Sequence, residues 1–230
     1  MIRIMIGYDG IESVAYHTLV QSILEHTTEP VSITPIKLSM LPMYTRERDS
    51  KQSNEFSFTR FLVPHLCNYE GHALFMDCDM LFRTDVSELW KLIDDTKSVQ
   101  VVKHDYTPTT QVKFLGAMQY SYPRKNWSSV MLFNCAHDHC KRLTPSYVNS
   151  TTGLNLHRFH WTHEDYIGSL PIEWNHLVGE YPENQDAKIV HWTIGGPYFD
   201  DYNDVEFADE WFEMAVRMEY CQQLDMADEA

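Results

Sequence analysis

Hydrophobic positions come in short blocks along this chain. Ile2, Ile4, Met5 and Ile6 make an apolar run over 2–6. Such a run predicts a strand buried on both faces, as in a parallel sheet. Gly7-Tyr8-Asp9-Gly10 stops it. Ala15, Leu19 and Ile23 then recur at helical spacing beside Tyr16, Val20 and Leu24, which predicts a helix with one broad buried face. A second strand is predicted over 31–38. The runs at 73–76, 99–102 and 130–133 read as further buried strands, and 189–190 as a short strand leading into His191. Helices are predicted over 56–66 (Phe58, Phe61, Leu62, Leu66 inside), over 87–94 with Ser87 as N-cap, and over 206–224. Residues 42–54 read as a charged loop and 104–127 as a long excursion; 145–185 mixes short helices with loops. Alternating β and α segments predict one α/β domain over 1–230 with a mostly parallel central sheet flanked by helices. Ligands of such sheets bind at the carboxyl ends of the strands. That rule makes residues 7–9, residues 77–79 and His191 neighbours on one rim.

Composition narrows the classes. The 230 residues are 43% hydrophobic and 13% aromatic, enough for a sizeable core and a stacking pocket. Disorder is excluded, and so is a membrane span, because no apolar run approaches ~18 residues. The net charge of −15 opposes binding to nucleic acid or an anionic membrane surface. It also opposes a phosphorylated substrate, unless a bound cation reverses the local field. The five cysteines are odd in number and lack a CxxC pair, so neither a disulfide framework nor a zinc–thiolate site is expected. The N-terminal apolar run is too short for a secretory signal, and a reducing cytoplasmic compartment is the expectation.

The sharpest chemical feature is Phe75-Met76-Asp77-Cys78-Asp79-Met80. Two carboxylates one residue apart end an apolar strand. Successive strand side chains point to opposite faces, so both reach one ion only if the backbone turns there. A hard divalent cation shared with substrate phosphates is the chemistry that wants such a pair. An alternative is a phosphatase with Asp77 as nucleophile and Asp79 as acid/base. Met80-Leu81 stand where that chemistry usually has small or hydroxyl residues.

The same residues, with others in order, resemble glycosyltransferase family 8, the family of glycogenin and the bacterial lipopolysaccharide galactosyl- and glucosyltransferases. Ile4-Met5-Ile6-Gly7-Tyr8-Asp9 resembles its first strand and nucleotide loop. Phe58-Thr59-Arg60-Phe61 resembles its Y-x-R-L/F helix, with Arg60 17 residues before Asp77. The strand into Asp77-Cys78-Asp79 resembles its metal motif. Ser129-Val130-Met131-Leu132-Phe133-Asn134 resembles AGVLLIN, His163-Glu164-Asp165 resembles DQD, and His191-Trp192-Thr193 with Gly195-Gly196-Pro197 resembles HYTG…KPW. The resemblance implies the GT-A fold, a nucleotide-binding α/β sheet. It implies a metal-dependent transfer of a hexose from a UDP-sugar to a carbohydrate or other hydroxyl acceptor, with retention of configuration. Non-transferase alternatives are a hydrolase using the same two aspartates and a non-catalytic nucleotide-sugar binder.

The resemblance also assigns roles. Asp77, Asp79 and His191 would hold Mn²⁺ or Mg²⁺; an imidazole ligand suits Mn²⁺ better. Gly7, Tyr8 and Asp9 would hold the base, with Asp77 and the Cys78 backbone at the ribose. Arg60 would pair with the diphosphate or with an active-site carboxylate. Gly195 and Gly196 would let backbone N–H groups approach the phosphates. Glu164, or Asp165 in its place, would face the anomeric carbon. Two departures stand out. The family's NAG is replaced by Trp127-Ser128-Ser129, with Asn126 one place early for its expected bond to the donor sugar. The family's Lys after the histidine motif is missing, which leaves Lys113, Arg124 or Lys125 as candidate substitutes.

Overall fold

A computed structural model describes residues 1–48, 52, 54–110, 112–116 and 122–218. The chain opens with β1 (Ile2–Tyr8), α1 (Ser13–His26) and β2 (Val31–Lys37). Next come α2 (Val63–Leu66), β3 (His72–Met76), β4 (Met80–Phe82), α3 (Val86–Trp90) and β5 (Val99–Val102). Then follow β6 (Val130–Asn134), α4 (Pro145–Ser150), α5 (Gly153–His157) and β7 (Ile167–Leu170). Last are β8 (His176–Leu177), β9 (Ile189–His191) and α6 (Ala208–Met218).

Six strands form one sheet in the order β2-β1-β3-β6-β5-β7, and β4-β9-β8 form a second, smaller one. In the large sheet β6 alone runs against its neighbours β3 and β5, while β1 is parallel to β2 and β3, and β5 to β7. The continuous apolar runs are explained by burial: Ala73, Leu74, Phe75 and Met76 are all fully enclosed, as are Val130, Met131 and Phe133. On α1, Ala15, Leu19 and Ile23 are buried as expected, but Leu24 faces solvent. Ser22 extends that buried face instead. Its hydroxyl donates to Leu19 O at 2.8 Å and accepts from Phe82 N at 3.1 Å, which ties α1 to β4.

Five elements differ from expectation. The helix predicted over 56–66 is a 3₁₀ turn (Thr59–Leu62) followed by the single turn of α2. It is stopped by positive φ at Asn68, Tyr69 and Gly71. The next helix is capped by Asp85, whose carboxylate accepts from Ser87 N at 2.7 Å, so Ser87 lies inside it. Strands β4, β7 and β8 occupy stretches where no strand was expected. The extension of α6 to 224 lies outside the described residues. No helix among those residues is long and apolar enough to cross a membrane.

Candidate metal centre

The rim predicted from the sequence exists. Ile6 pairs with Met76, so β1 and β3 deliver Tyr8-Asp9 and Asp77 to the same end of the sheet. Asp77 N continues the ladder by donating to Ser129 O at 3.0 Å. The backbone then leaves the large sheet for the small one. Cys78 is buried in the core, Asp79 O accepts from Trp192 N at 3.0 Å, and Met80 pairs with His191. This change of sheet is the turn that two carboxylates at i and i+2 need. One ligand atom from each of Asp77, Asp79 and His191 lies within 4.8 Å of the others.

Hydrogen bonds set the direction of the histidine. Ser129 Oγ donates to Asn126 O at 2.7 Å, and Asn175 Nδ2 donates to Ser129 Oγ at 2.8 Å. Asn175 Oδ1 is thereby the acceptor facing His191 Nδ1 at 2.9 Å. The Nδ1 proton is committed there, and Nε2 turns to Asp79 Oδ1, 3.3 Å away. Asp77 Oδ1 is buried with Arg60 Nη1 2.7 Å away, and Asp79 Oδ1 is buried beside His191 Nε2. An imidazole lone pair facing a carboxylate oxygen, with a second carboxylate oxygen within 4.8 Å, is satisfied by a positive centre between them. Two carboxylate oxygens and one imidazole nitrogen fit a hard to borderline divalent cation.

Electrostatics points the same way. Burial pushes the Asp77 carboxyl up to about 6, against the pull of Arg60. Burial opposes ionisation of Asp79 as well, but His191 and then Lys113 outweigh it and hold that carboxyl below its usual range. A further carboxyl, Glu12, was not singled out from the sequence. It is 3% exposed and accepts from Tyr198 Oη at 2.6 Å. Burial and then the charge of Asp79 push it up to about 8.

Arg60 takes the carboxylate alternative. Its Nη1 sits 2.7 Å from Asp77 Oδ1 and donates to Ser128 O at 2.9 Å, with the guanidinium near the rings of Phe56 and Phe75. Asp9 is buried, and its two oxygens accept from Ile11 N at 3.1 Å and Glu55 N at 3.0 Å. Tyr8 is half-buried, with Lys37 Nζ 5.1 Å from its ring centre. Gly7 is required by packing, because a Cβ there would lie 2.3 Å from the Phe56 ring. Gly195 and Gly196 are required likewise, against the rings of Tyr202 and Tyr198. Asn126, at φ 60°, donates to Tyr106 Oη at 2.7 Å and Thr193 Oγ1 at 3.3 Å, two residues past His191. Lys113 Nζ donates to the same Thr193 hydroxyl at 2.9 Å. It is the candidate substitute cation that reaches this rim. Arg124 pairs with Glu164 and Arg158 O, and Lys125 lies over the Tyr122 ring.

Glu164 and Asp165 are placed elsewhere. They precede β7, whose first residue is level with Val99, Phe133 and Ala73 across the sheet. Asp77 follows Ala73 by four residues at the opposite end. The segment also stands three strand spacings to the side, roughly 14 Å. Asp165 O accepts from Lys97 Nζ, and the Glu164 carboxylate pairs with Arg124. Among the described residues neither acid contacts Asp77, Asp79 or His191.

Glu12 and Asn175 carried no readable signal. Glu12 is one acid in a loop, and Asn175 precedes a two-residue strand; only their tertiary neighbours mark them.

A family model described as Glycosyl transferase family 8 matches residues 2–196. Protein CDI of Arabidopsis thaliana is 49% identical over 217 residues, covering 91% of this chain and 84% of that protein. Among solved structures, the apo form of the bifunctional glycosyltransferase WbbM matches with a TM-score of 0.67 at 15% identity. The match covers 94% of this chain and 49% of WbbM, so this chain spans about half the length of that one. The galactosyltransferase LgtC, in complex with donor and acceptor sugar analogues, matches with a TM-score of 0.61 at 10% identity, over 94% of this chain and 96% of LgtC. At these identities the structural likeness is one of fold, the GT-A fold.

Proposed function

The chain belongs to glycosyltransferase family 8, and from that premise we propose that it transfers a hexose from a UDP-sugar to a hydroxyl acceptor, with retention of configuration and dependence on Mn²⁺ or Mg²⁺. The observation that carries the reading is the buried Asp77–Asp79–His191 cluster at the carboxyl rim of the sheet. Those three residues would hold the cation, and the imidazole favours Mn²⁺. When bound, the ion supplies Lewis-acid stabilisation to the departing diphosphate.

The chain's own residues do the rest. Arg60 fixes the Asp77 carboxylate from below and offsets part of its burial cost. Asn175 holds His191 in the tautomer that presents Nε2. Lys113, anchored on Thr193, brings a second positive charge to the leaving phosphates, where a protein of net charge −15 needs one. The Asn126 amide, presented beside Thr193, would bond a sugar hydroxyl in place of one of the two protein hydroxyls to which it donates. Tyr8 offers part of a ring to the base and Asp9 shapes the turn beneath it. Cys67, Cys78, Cys135 and Cys140 are free thiols, which supports a reducing, cytoplasmic compartment.

The test is thermal stabilisation by UDP with and without Mn²⁺, in the wild type and in an Asp77→Ala/Asp79→Ala double variant. Ligand binding to the native state raises Tm by mass action. A rise that needs both Mn²⁺ and the aspartates is expected. A rise indifferent to the aspartates, or none with any nucleoside diphosphate, overturns the reading. Sugar released to water in the presence of every acceptor tried would make the protein a hydrolase.

A further inference from the structure

Four of the five cysteines fall among the described residues, all four buried, with free thiols that the transfer chemistry does not use. Two of them meet far from the metal cluster. Cys67 closes the single turn of α2, its N–H donating to Val63 O at 3.0 Å. The chain then reverses, with positive φ at Asn68, Tyr69 and Gly71. Gly71 O accepts from Cys135 N at 2.8 Å, which brings the residue after β6 against this turn. The Cys67 and Cys135 thiols share a hydrogen bond, and the Arg3 guanidinium lies near both. Arg3 is held there by the carbonyls of His72, at 2.9 Å, and Glu70. The hydrogen bond from Cys135 brings the Cys67 thiol down to about 7, against its burial and with help from Arg3. The same bond, together with burial, holds the Cys135 thiol high. One member of the pair is therefore a nucleophile at neutral pH, and the other keeps its proton. Cys140, the third thiol nearby, is committed elsewhere, its Sγ donating to Ser98 O at 3.1 Å.

We propose that Cys67 and Cys135 are a site of reversible oxidation, closing to a disulfide when a hydroperoxide reaches Cys67. The proposal is independent of the transferase reading. In the first step the Cys67 sulfur attacks one peroxide oxygen. The O–O bond breaks, and the other oxygen leaves as water or an alcohol with the proton that Cys67 gave up. In the second step the Cys135 sulfur attacks the sulfenic sulfur of Cys67. The S–S bond forms, the S–O bond breaks, and hydroxide leaves as water with the Cys135 proton. Two thiols lose two electrons and one peroxide gains them; a dithiol reductant reverses the change. Entry is from the Cys67 side, because Cys67 is 5% exposed and Cys135 is fully enclosed. A helix of one turn does not hold itself, so the segment ending at Cys67 opens locally. The bridge joins α2 to β6. The 3₁₀ turn before α2 carries Arg60 and β6 begins just after Ser129, so both elements hold Asp77 at their other ends. Oxidation would fix these two elements to each other without touching the cluster.

The experiment is a hydrogen peroxide titration of the reduced full chain, with remaining thiols trapped by N-ethylmaleimide and the peptides read by mass spectrometry. It uses the wild type, Cys135→Ser and Cys140→Ser, and the wild type in urea. The native wild type is expected to give one linked peptide pair, Cys67 with Cys135, which dithiothreitol releases. Cys67 should be consumed about tenfold faster than Cys140, whose thiol is held high by burial. Cys140→Ser should keep the bridge. Cys135→Ser should leave Cys67 as a sulfenic acid that dimedone captures, since a serine hydroxyl still donates to Cys67 but cannot close the bridge. A wild-type circular dichroism spectrum verifies that this variant folds, and Cys135→Ala gives the same reading if it does not. Urea should scatter the pairing over all five cysteines. Native pairing through any other cysteine, Cys221 included, overturns the proposal. So does a Cys67 that reacts no faster than Cys140, or a native bridge no more abundant than in urea.

Discussion

Two segments of this chain place a pair of acids beside an apolar strand, and the fold uses them in opposite ways. Asp77 and Asp79 follow β3. Their side chains are 12% and 13% exposed and are held by Arg60 and His191. Glu164 and Asp165 precede β7, and their side chains are 53% and 82% exposed. What separates the two is the end of the strand on which they sit. At the carboxyl end, the second sheet folds over and encloses the acids with an imidazole. At the amino end they meet solvent, Lys97 and Arg124. A pair of acidic letters acquires chemistry from its position in the topology.

The largest effect should come from breaking the enclosed pair. Asp79→Ala is expected to lower transfer by about 10³-fold, the scale of losing one preorganised electrostatic group, and to abolish the Mn²⁺-dependent UDP shift. Steady-state turnover and a melting curve check both. Next is the support of the histidine. Asn175→Ala frees the Nδ1 proton and should weaken Mn²⁺ binding by about 10–100-fold, read by Mn²⁺ titration. Retained affinity in this variant would mean that the cluster needs no oriented imidazole.

The same contrast explains what was legible in the sequence. Strands β1, β3, β5 and β6 are buried on both faces, so their apolar runs stand out, and the carboxyl-end rule then set residues 7–9, 77–79 and His191 side by side. Strand β7 was hidden by Gly168, where a Cβ would lie 2.7 Å from the Gln100 side chain; the glycine makes room for that buried glutamine. Strands β4 and β8 have three and two residues, too few for a period to show, whereas β9 was legible as the apolar pair 189–190 before His191. The helix expected over 56–66 has the right buried side chains, but backbone reversals at Asn68 and Tyr69 leave it a single turn. Glu12, Asn175 and the position of Lys113 depend on contacts far apart in sequence, which no local pattern carries.

A smaller effect sharpens the electrostatic side. The folded-state pKa of Glu12 is raised from 4.5 to about 8 and that of Asp77 from 3.8 to about 6. Between those limits the folded protein binds more protons than the unfolded one, so stability falls as pH rises. The contribution is fully present below about pH 4 and is lost by about pH 8. Asp79, whose carboxyl is held low, contributes with the opposite sign and only on the acid side of this window. Metal-free protein should therefore lose several degrees of Tm from pH 5 to pH 8. Glu12→Gln, which can still accept from Tyr198, should remove most of the slope above pH 6. A slope unchanged in that variant would place the titrating group elsewhere.

The smallest effect is expected at the exposed pair, and it decides the comparison. Glu164→Gln removes one surface ion pair with Arg124, a change of about 0–1 kcal/mol in stability. Transfer should stay within about twofold of wild type, because the carboxylate is half-exposed and paired with Arg124 rather than with any member of the cluster. A loss of about a hundredfold with intact folding would mean that a general acid–base or nucleophilic group had been removed. Segment 163–165 would then have to reach the metal rim during turnover. That movement would have to break the Arg124–Glu164 pair, the Lys97–Asp165 bond and the Ser98 N–Tyr166 O bond together. Near-wild-type transfer in Glu164→Gln, beside collapse in Asp79→Ala, would show that this fold builds its chemistry at the carboxyl rim alone.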